Sequence, residues 1–285
     1  MEQQAPIPFR KMNGLGNDFV VLDARQRAIA MDEARARAIA DRKTGIGCDQ
    51  VIILVPSHKA DVAMRIWNNE GFEVESCGNA TRCIADLLFD ETKRTRATID
   101  TKGGFLVADK GGERLVTVDM GAPRFDWKDI PLSEKFHDTR HIELQVGPID
   151  APLIHSPSVV NVGNPHCIFW VKALNVVDLG KVGPMLEHHP LFPQRANITL
   201  ARVDAKDHVT IQVWERGAGL TKACGTAACA VMAAGARIRI IGPKATITLP
   251  GGDLFMERRE PDGHIIMTGP VTYEFEGELP AHLAG

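Results

Sequence analysis

Residues 75–83 read ESCGNATRC and residues 222–230 read KACGTAACA. In each, a cysteine stands directly before a glycine and a run of small, helix-tolerant residues, and the fold turns on why this happens twice. A cysteine so placed sits where a strand or turn gives way to a helix. The first N–H groups of the helix and the positive end of its dipole then lie beneath the sulfur. That environment is expected to lower a thiol pKa from about 8.5 toward neutrality and to favour the thiolate. A single Cys-Gly pair would be read first as a buried structural cysteine. Two of them, Cys77 and Cys224, 147 positions apart (224 − 77), call for another explanation.

The same separation joins Gly16-Asn17 to Gly163-Asn164, Gln50 to Asn197, Trp67 to Trp214 and Asn68 to Glu215. ATIDTKGG at 97–104 returns as ATITLPGG at 245–252 after one inserted residue, and Gly121 returns as Gly269. A register held across polar, glycine, tryptophan and cysteine positions marks an internal duplication. The copies run roughly from 9 to 121 and from 156 to 269. They predict two domains, 1–122 and 123–269, with the closing segment 270–285 returning to the first.

At 285 residues, 44% hydrophobic and 24% charged, the chain has ordinary globular composition for two domains. A net charge of −3 argues against a nucleic-acid partner, which would require a basic face. The N-terminal MEQQAPIPFRK has no signal-peptide core, and VIILV at 51–55 is far too short to span a bilayer. The expectation is a cytoplasmic protein without a membrane partner, its six cysteines reduced.

Short apolar runs such as DFVVLD, QVIIL and DVAMRIW, bounded by Gly, Asn, Asp or Pro, predict strands, and these outnumber the helices. One helix is expected after Met31, with Asp32 as N-cap and Gly45 beyond its end, and one after each Cys-Gly pair. VTYEFEGE alternates Val271, Tyr273 and Phe275 with polar residues and predicts a half-buried strand. Residues 122–149 match nothing in the other copy and are read as containing the crossing between domains. NGLGND and KTGIGCDQ complete neither a dinucleotide nor a phosphate loop, and His188-His189 and His137/His141 lack the flanking ligands of a metal site.

If the copies face each other across a cleft, Cys77 stands opposite Cys224 within a ring of Asn17, Gln50, Asn68, Asn164, Asn197 and Glu215. A carbon held between two thiols can lose a proton from one face and gain one on the other, which inverts its configuration without a cofactor. The helix N-termini would stabilise a carboxylate on that carbon as charge develops. The two sulfurs would share one proton as a coupled pair. Two rivals remain open: an acyl-transfer nucleophile using one cysteine with His166, and a Cys77–Cys224 redox pair. Cys48, Cys83, Cys167 and Cys229 are read as packed thiols, and Trp67 and Trp214 as matched core anchors.

NGLGNDFVVLD, GIGCDQ, SCGNATRC, GNPHC, ERGAG and ACGTAACA occur in the order seen in the diaminopimelate epimerase family, which the chain resembles along nearly its whole length. The resemblance implies an α+β fold of two pseudo-symmetric domains, each a mostly antiparallel sheet or barrel wrapped around a central helix, with the active site in the cleft between them. It implies a cofactor-independent, metal-free isomerase of lysine and cell-wall precursor synthesis, a homodimer, acting on a small diamino diacid. Cys77 and Cys224 would be the acid/base pair, with His166 and Glu215 in support. Asn17, Gln50, Asn68, Gly78, Asn79, Asn164, Asn197, Glu215, Arg216, Gly225 and Thr226 would contact substrate. Proline racemases and hydroxyproline epimerases share the superfamily, but they read Cys-Gly-His where this chain has Cys-Gly-Asn79, and they lack ERGAG.

Overall fold

The computed structural model describes residues 6–75 and 77–284. They form two compact units, Met1–Val118 with Gly269–Gly285, and Asp119–Thr268. In the first unit the strands Pro8–Gly14 and Asn17–Asp23 form a hairpin about Leu15-Gly16, both with positive φ (66° and 89°). Asn17–Asp23 runs parallel to Gln50–Val55, which pairs antiparallel with Val62–Asn68. Arg96–Thr101 lies parallel to Val62–Asn68 and antiparallel to Gly104–Gly112. Thr272–Glu278 pairs antiparallel with Pro8–Gly14, so the end of the chain belongs to this unit.

The second unit repeats the arrangement. Ser158–Asn161 pairs antiparallel with Pro165–Trp170, which runs parallel to Asn197–Ala205; that strand pairs antiparallel with His208–Glu215. Lys244–Leu249 lies parallel to His208–Glu215 and antiparallel to Gly252–Arg258. The registers correspond as well: Phe19 aligns with Gln50 as His166 does with Asn197, and Val51 faces Trp67 as Ile198 faces Trp214. A shift of 147 residues, or 148 beyond the inserted residue, therefore carries the strands of one sheet onto those of the other.

Among the described residues four helices of eight residues or more accompany the strands: α1 (Glu33–Ala40), α2 (Gly78–Thr92), α3 (Leu179–Glu187) and α4 (Gly225–Arg237). Every residue of α2 from Gly78 to Phe89 is buried, and in α4 Thr226 alone is not buried between Gly225 and Gly235. A helix buried all round must be covered all round. The strands Pro8–Gly14, Arg96–Thr101 and Gly104–Gly112 cover α2; Ser158–Asn161, Pro165–Trp170, Lys244–Leu249 and Gly252–Arg258 cover α4. Each unit is thus a mostly antiparallel sheet wrapped around one central helix. Alanines at 227, 228, 230, 233 and 234 let the α4 backbone approach the strands closely, and full burial of residues such as Phe169 and Ile198 contributes about 1.5–3 kcal/mol each.

α1 begins as the sequence predicts: Asp32 caps it by accepting the Arg35 N–H at 2.8 Å. α3 was not anticipated. Residues 122–149 pack into the second unit through Ile130, Leu132, Ile142 and Leu144. The closing strand forms, but it is not half buried. Tyr273 and Phe275 are 37% and 48% exposed, and Phe275 meets Phe9 edge-on at 5.9 Å. Among the described residues no helix is long and apolar enough to cross a membrane.

Candidate active site

Cys77 and Cys224 are the N-cap residues of α2 and α4, with nearly the same backbone (φ −148°, ψ 112° and φ −133°, ψ 101°). Extended backbone at a cap turns the first N–H groups of the helix outward beside the side chain. Among the described residues no disulfide joins any of the six cysteines. Cys48, Cys83, Cys167 and Cys229 are buried as expected, and burial pushes the thiol of Cys48 up to about 12.

Around Cys77, the Sγ lies 3.6 Å from Asn17 Oδ1, which also accepts from Asn79 Nδ2 at 3.3 Å. The fully buried Arg82 donates to Asn79 Oδ1 at 2.9 Å. On its other side Asn17 Nδ2 donates to Asp49 at 2.9 Å. Asp49 accepts from Arg42 at 2.7 Å, and Arg42 together with the buried Lys11 also binds Asp18. Burial would raise the Asp18 carboxyl, but the bonds from Arg42 and Lys11 hold it below the ordinary carboxylate range. Gln50 and Asn68 face each other on adjacent strands; Asn68 Oδ1 accepts the Phe72 N–H at 2.8 Å, while Gln50 Oε1 is buried with no partner.

Around Cys224 the chemistry differs. Thr226 Oγ1 lies 3.5 Å from the sulfur, and Glu215, which accepts from Thr221, is its carboxylate neighbour. The helix N-terminus was expected to lower this thiol. Instead, burial pushes it well above its ordinary range and Glu215 pushes in the same direction, against smaller contributions from Thr226 and the Ala227 N–H. The sulfur is removed from water and faces negative charge, so the protonated thiol is favoured.

His166 Nε2 lies 2.8 Å from Asn164 Oδ1 and 3.4 Å from Asn197 Nδ2, while its Nδ1 is buried with no partner. The ring is fully buried; burial, then the nearby Arg216, lower its pKa from 6.5 to about 3, and the imidazole is neutral. Asn197 is anchored at both ends of its amide, donating to Pro165 O at 3.0 Å and accepting the Arg216 N–H at 2.9 Å. Arg216 donates to Gln194 O. The second unit therefore brings Asn164, His166, Asn197 and Arg216 into one network, and Glu215, Cys224 and Thr226 into another beside it.

The structure adds a residue that the sequence reading missed. Glu187, buried at the end of α3, accepts from Trp214 Nε1 at 2.7 Å and from the Gly217 N–H at 3.1 Å, fixing the turn that carries Glu215 and Arg216. Gly183 on the same helix lies under the Trp214 ring, where an added Cβ would come within 2.6 Å of ring carbons. Gly183→Ala gains at most about 1 kcal/mol of helix propensity. Overpacking costs about 1–3 kcal/mol and should win. Urea denaturation is expected to show net destabilisation, with a fall in turnover because Glu215 is displaced along with its neighbour.

The sequence profile of the diaminopimelate epimerase family matches residues 9–125 and again 158–274. The chain belongs to that family. It is 51% identical over 281 residues to the diaminopimelate epimerase of Rhodopseudomonas palustris strain BisB18, covering 98% of this chain and 96% of that one. To the diaminopimelate epimerase of Bradyrhizobium sp. strain BTAi1 it is 50% identical over 287 residues, covering 99% and 98%. Solved structures share the fold at low identity. A hydroxyproline epimerase from Agrobacterium vitis superposes with TM-score 0.69 at 14% identity over 98% of this chain and 94% of that one. A Bacillus anthracis phenazine biosynthesis protein of the PhzF family gives 0.65 at 18% over 97% and 100%. As a member of the diaminopimelate epimerase family the chain is an isomerase.

Proposed function

We propose that this protein interconverts LL- and meso-diaminopimelate, a step of lysine and cell-wall precursor synthesis, by a two-base mechanism in which Cys77 and Cys224 serve opposite faces of one α-carbon. The observation that carries the reading is the equivalence of the two cysteines. Each caps the central helix of one copy, with the same backbone and a polar partner at its sulfur. One thiolate removes the α-proton while the other thiol delivers its own to the opposite face, so no redox equivalent is consumed and the sulfurs exchange roles. The N–H groups at Gly78 and Asn79 and at Gly225 and Thr226 are suited to bind the α-carboxylate and take up the charge that develops.

Glu215 can accept the Cys224 proton and so generate the base from a thiol that burial keeps protonated. His166, a buried neutral ring 2.8 Å from Asn164 Oδ1, holds that side chain in place. Arg216 offers the planar donor fork that suits the distal carboxylate of a diamino diacid. Asn17, Gln50, Asn68, Asn164 and Asn197 supply polar contacts around the same substrate. The chemistry needs neither metal nor cofactor, and the resemblance further implies a cytoplasmic homodimer.

Incubation with LL-diaminopimelate followed by chiral chromatography tests the reading. Conversion to a mixture of LL- and meso-isomers is expected, with no inversion of proline or trans-4-hydroxyproline under the same conditions. Inversion of either imino acid without reaction of diaminopimelate would contradict it.

A further inference from the structure

We propose that Asp49 is a positioning residue which fixes the polarity of the Asn17 amide and so holds Cys77 as the proton-donating thiol. The inference rests on the two-base reading above. A side-chain amide can present either end to a neighbour, and here two charged groups remove that freedom. Asp49 can only accept, so the Asn17 group 2.9 Å from it is the N–H₂. Arg82 can only donate, so the Asn79 atom 2.9 Å from it is the oxygen and the Asn79 N–H₂ turns to Asn17. Both constraints place the Asn17 oxygen, an acceptor, on Cys77 Sγ. An acceptor there favours S–H over S⁻, whereas a reversed Asn17 would offer N–H₂ and favour the thiolate.

Asp49 is itself held. Arg42 donates to its Oδ1 at 2.7 Å, and the Asp18 N–H lies 3.2 Å from its Oδ2. An amide at position 49 could not satisfy Arg42, the Asp18 N–H and Asn17 together, because it would turn a donor toward one of them. The second copy has no such device: the residues shifted by 147 from Asp18 and Asp49 are Pro165 and Ala196. Cys224 faces Glu215 and Thr226 instead. The two thiols are therefore set by different means, Cys77 by a relay of amides locked by charge and Cys224 by a carboxylate. The charged groups around the Cys77 relay are Lys11, Asp18, Arg42 and Asp49 on one side and Arg82 and Glu274 on the other.

The test follows alkylation of Cys77 by iodoacetamide between about pH 6 and pH 10, with the modified peptide quantified by mass spectrometry, in wild type, Asp49→Asn, Asp49→Glu and Asp18→Asn. Asp49→Asn should alkylate about fivefold or more faster at neutral pH, with its profile moved to lower pH. Asp49→Glu should restore the slow profile. Asp18→Asn weakens the same ion cluster without touching Asn17, so it should lower the melting temperature and leave the Cys77 profile in place. A wild-type profile in Asp49→Asn, or equal acceleration in Asp18→Asn, overturns the proposal. Alkylation requires no turnover, so this result is independent of whether the two-base reading survives its own test.

Discussion

Replacing Cys77 with alanine, or Cys224 with alanine, is expected to lower the rate of diaminopimelate inversion about 10³-fold or more in each case, the scale of a lost proton-transfer group. That corresponds to about 4 kcal/mol of transition-state stabilisation. The two losses should be similar, because inversion needs both faces served in every turnover. Each variant should nonetheless fold. Cys77 is only partly buried and makes no capping bond through its side chain, and Cys224 sits beside alanines on an alanine-rich helix. Circular dichroism and melting temperature separate a catalytic loss from a folding one. Full activity in either variant would leave a one-base scheme and remove the reason for the duplicated cysteine.

The second large effect concerns stability in acid. His166 has a folded pKa of about 3 against 6.5 for an unperturbed histidine, because burial opposes its charged form and Arg216 adds to that. Its folded pKa is depressed, so the unfolded chain binds the proton first. The stability held by the neutral ring is intact above about pH 6.5 and is lost as pH falls toward 3. By pH 4 this one imidazole should cost the fold about 3 kcal/mol. His166→Phe removes the titration. The other copy already places Phe19 at the corresponding register, next to Gln50 as His166 is next to Asn197. Urea denaturation between pH 7 and pH 4 should therefore fall less steeply in the variant than in wild type. Its kcat/KM should drop about tenfold, since Asn164 loses the imidazole contact that positions it. Parallel pH dependences in the two proteins would contradict the assignment of a buried neutral ring.

Much of the fold was legible because the chain states it twice. The Cys-Gly pairs predicted the starts of α2 and α4, and the common shift of 147 predicted which strands correspond. α3 was not legible: LGKVGPMLE carries two glycines and Pro184 within nine residues, and tertiary packing against Trp214 and Glu187's bonds overrides that poor propensity. At the site, residue types and spacing pointed to Asn17, Glu215 and the two cysteines, and the family resemblance to Asn79. They could not show the polarity of the amides, which Asp49 sets from 32 residues beyond Asn17 and Arg82 from one helical turn beyond Asn79. Nor could they show that Cys224 is enclosed. The dipole argument predicted a lowered thiol, but depth of burial and the Glu215 carboxylate act more strongly in the opposite sense. The closing strand erred for a related reason: alternation marks a strand, yet it does not reveal whether anything covers the apolar face.

Inversion of diaminopimelate in deuterium oxide, sampled early in the reaction from each isomer, bears most directly on the claim that two sulfurs serve one carbon. If one thiol takes the proton and the other delivers a different one, the newly formed isomer carries solvent deuterium at the inverted carbon while the unreacted isomer stays unlabelled. Deuterium appearing equally in both isomers, or the original hydrogen retained in the product, would mean that a single group removes and returns the proton, and the account would fail.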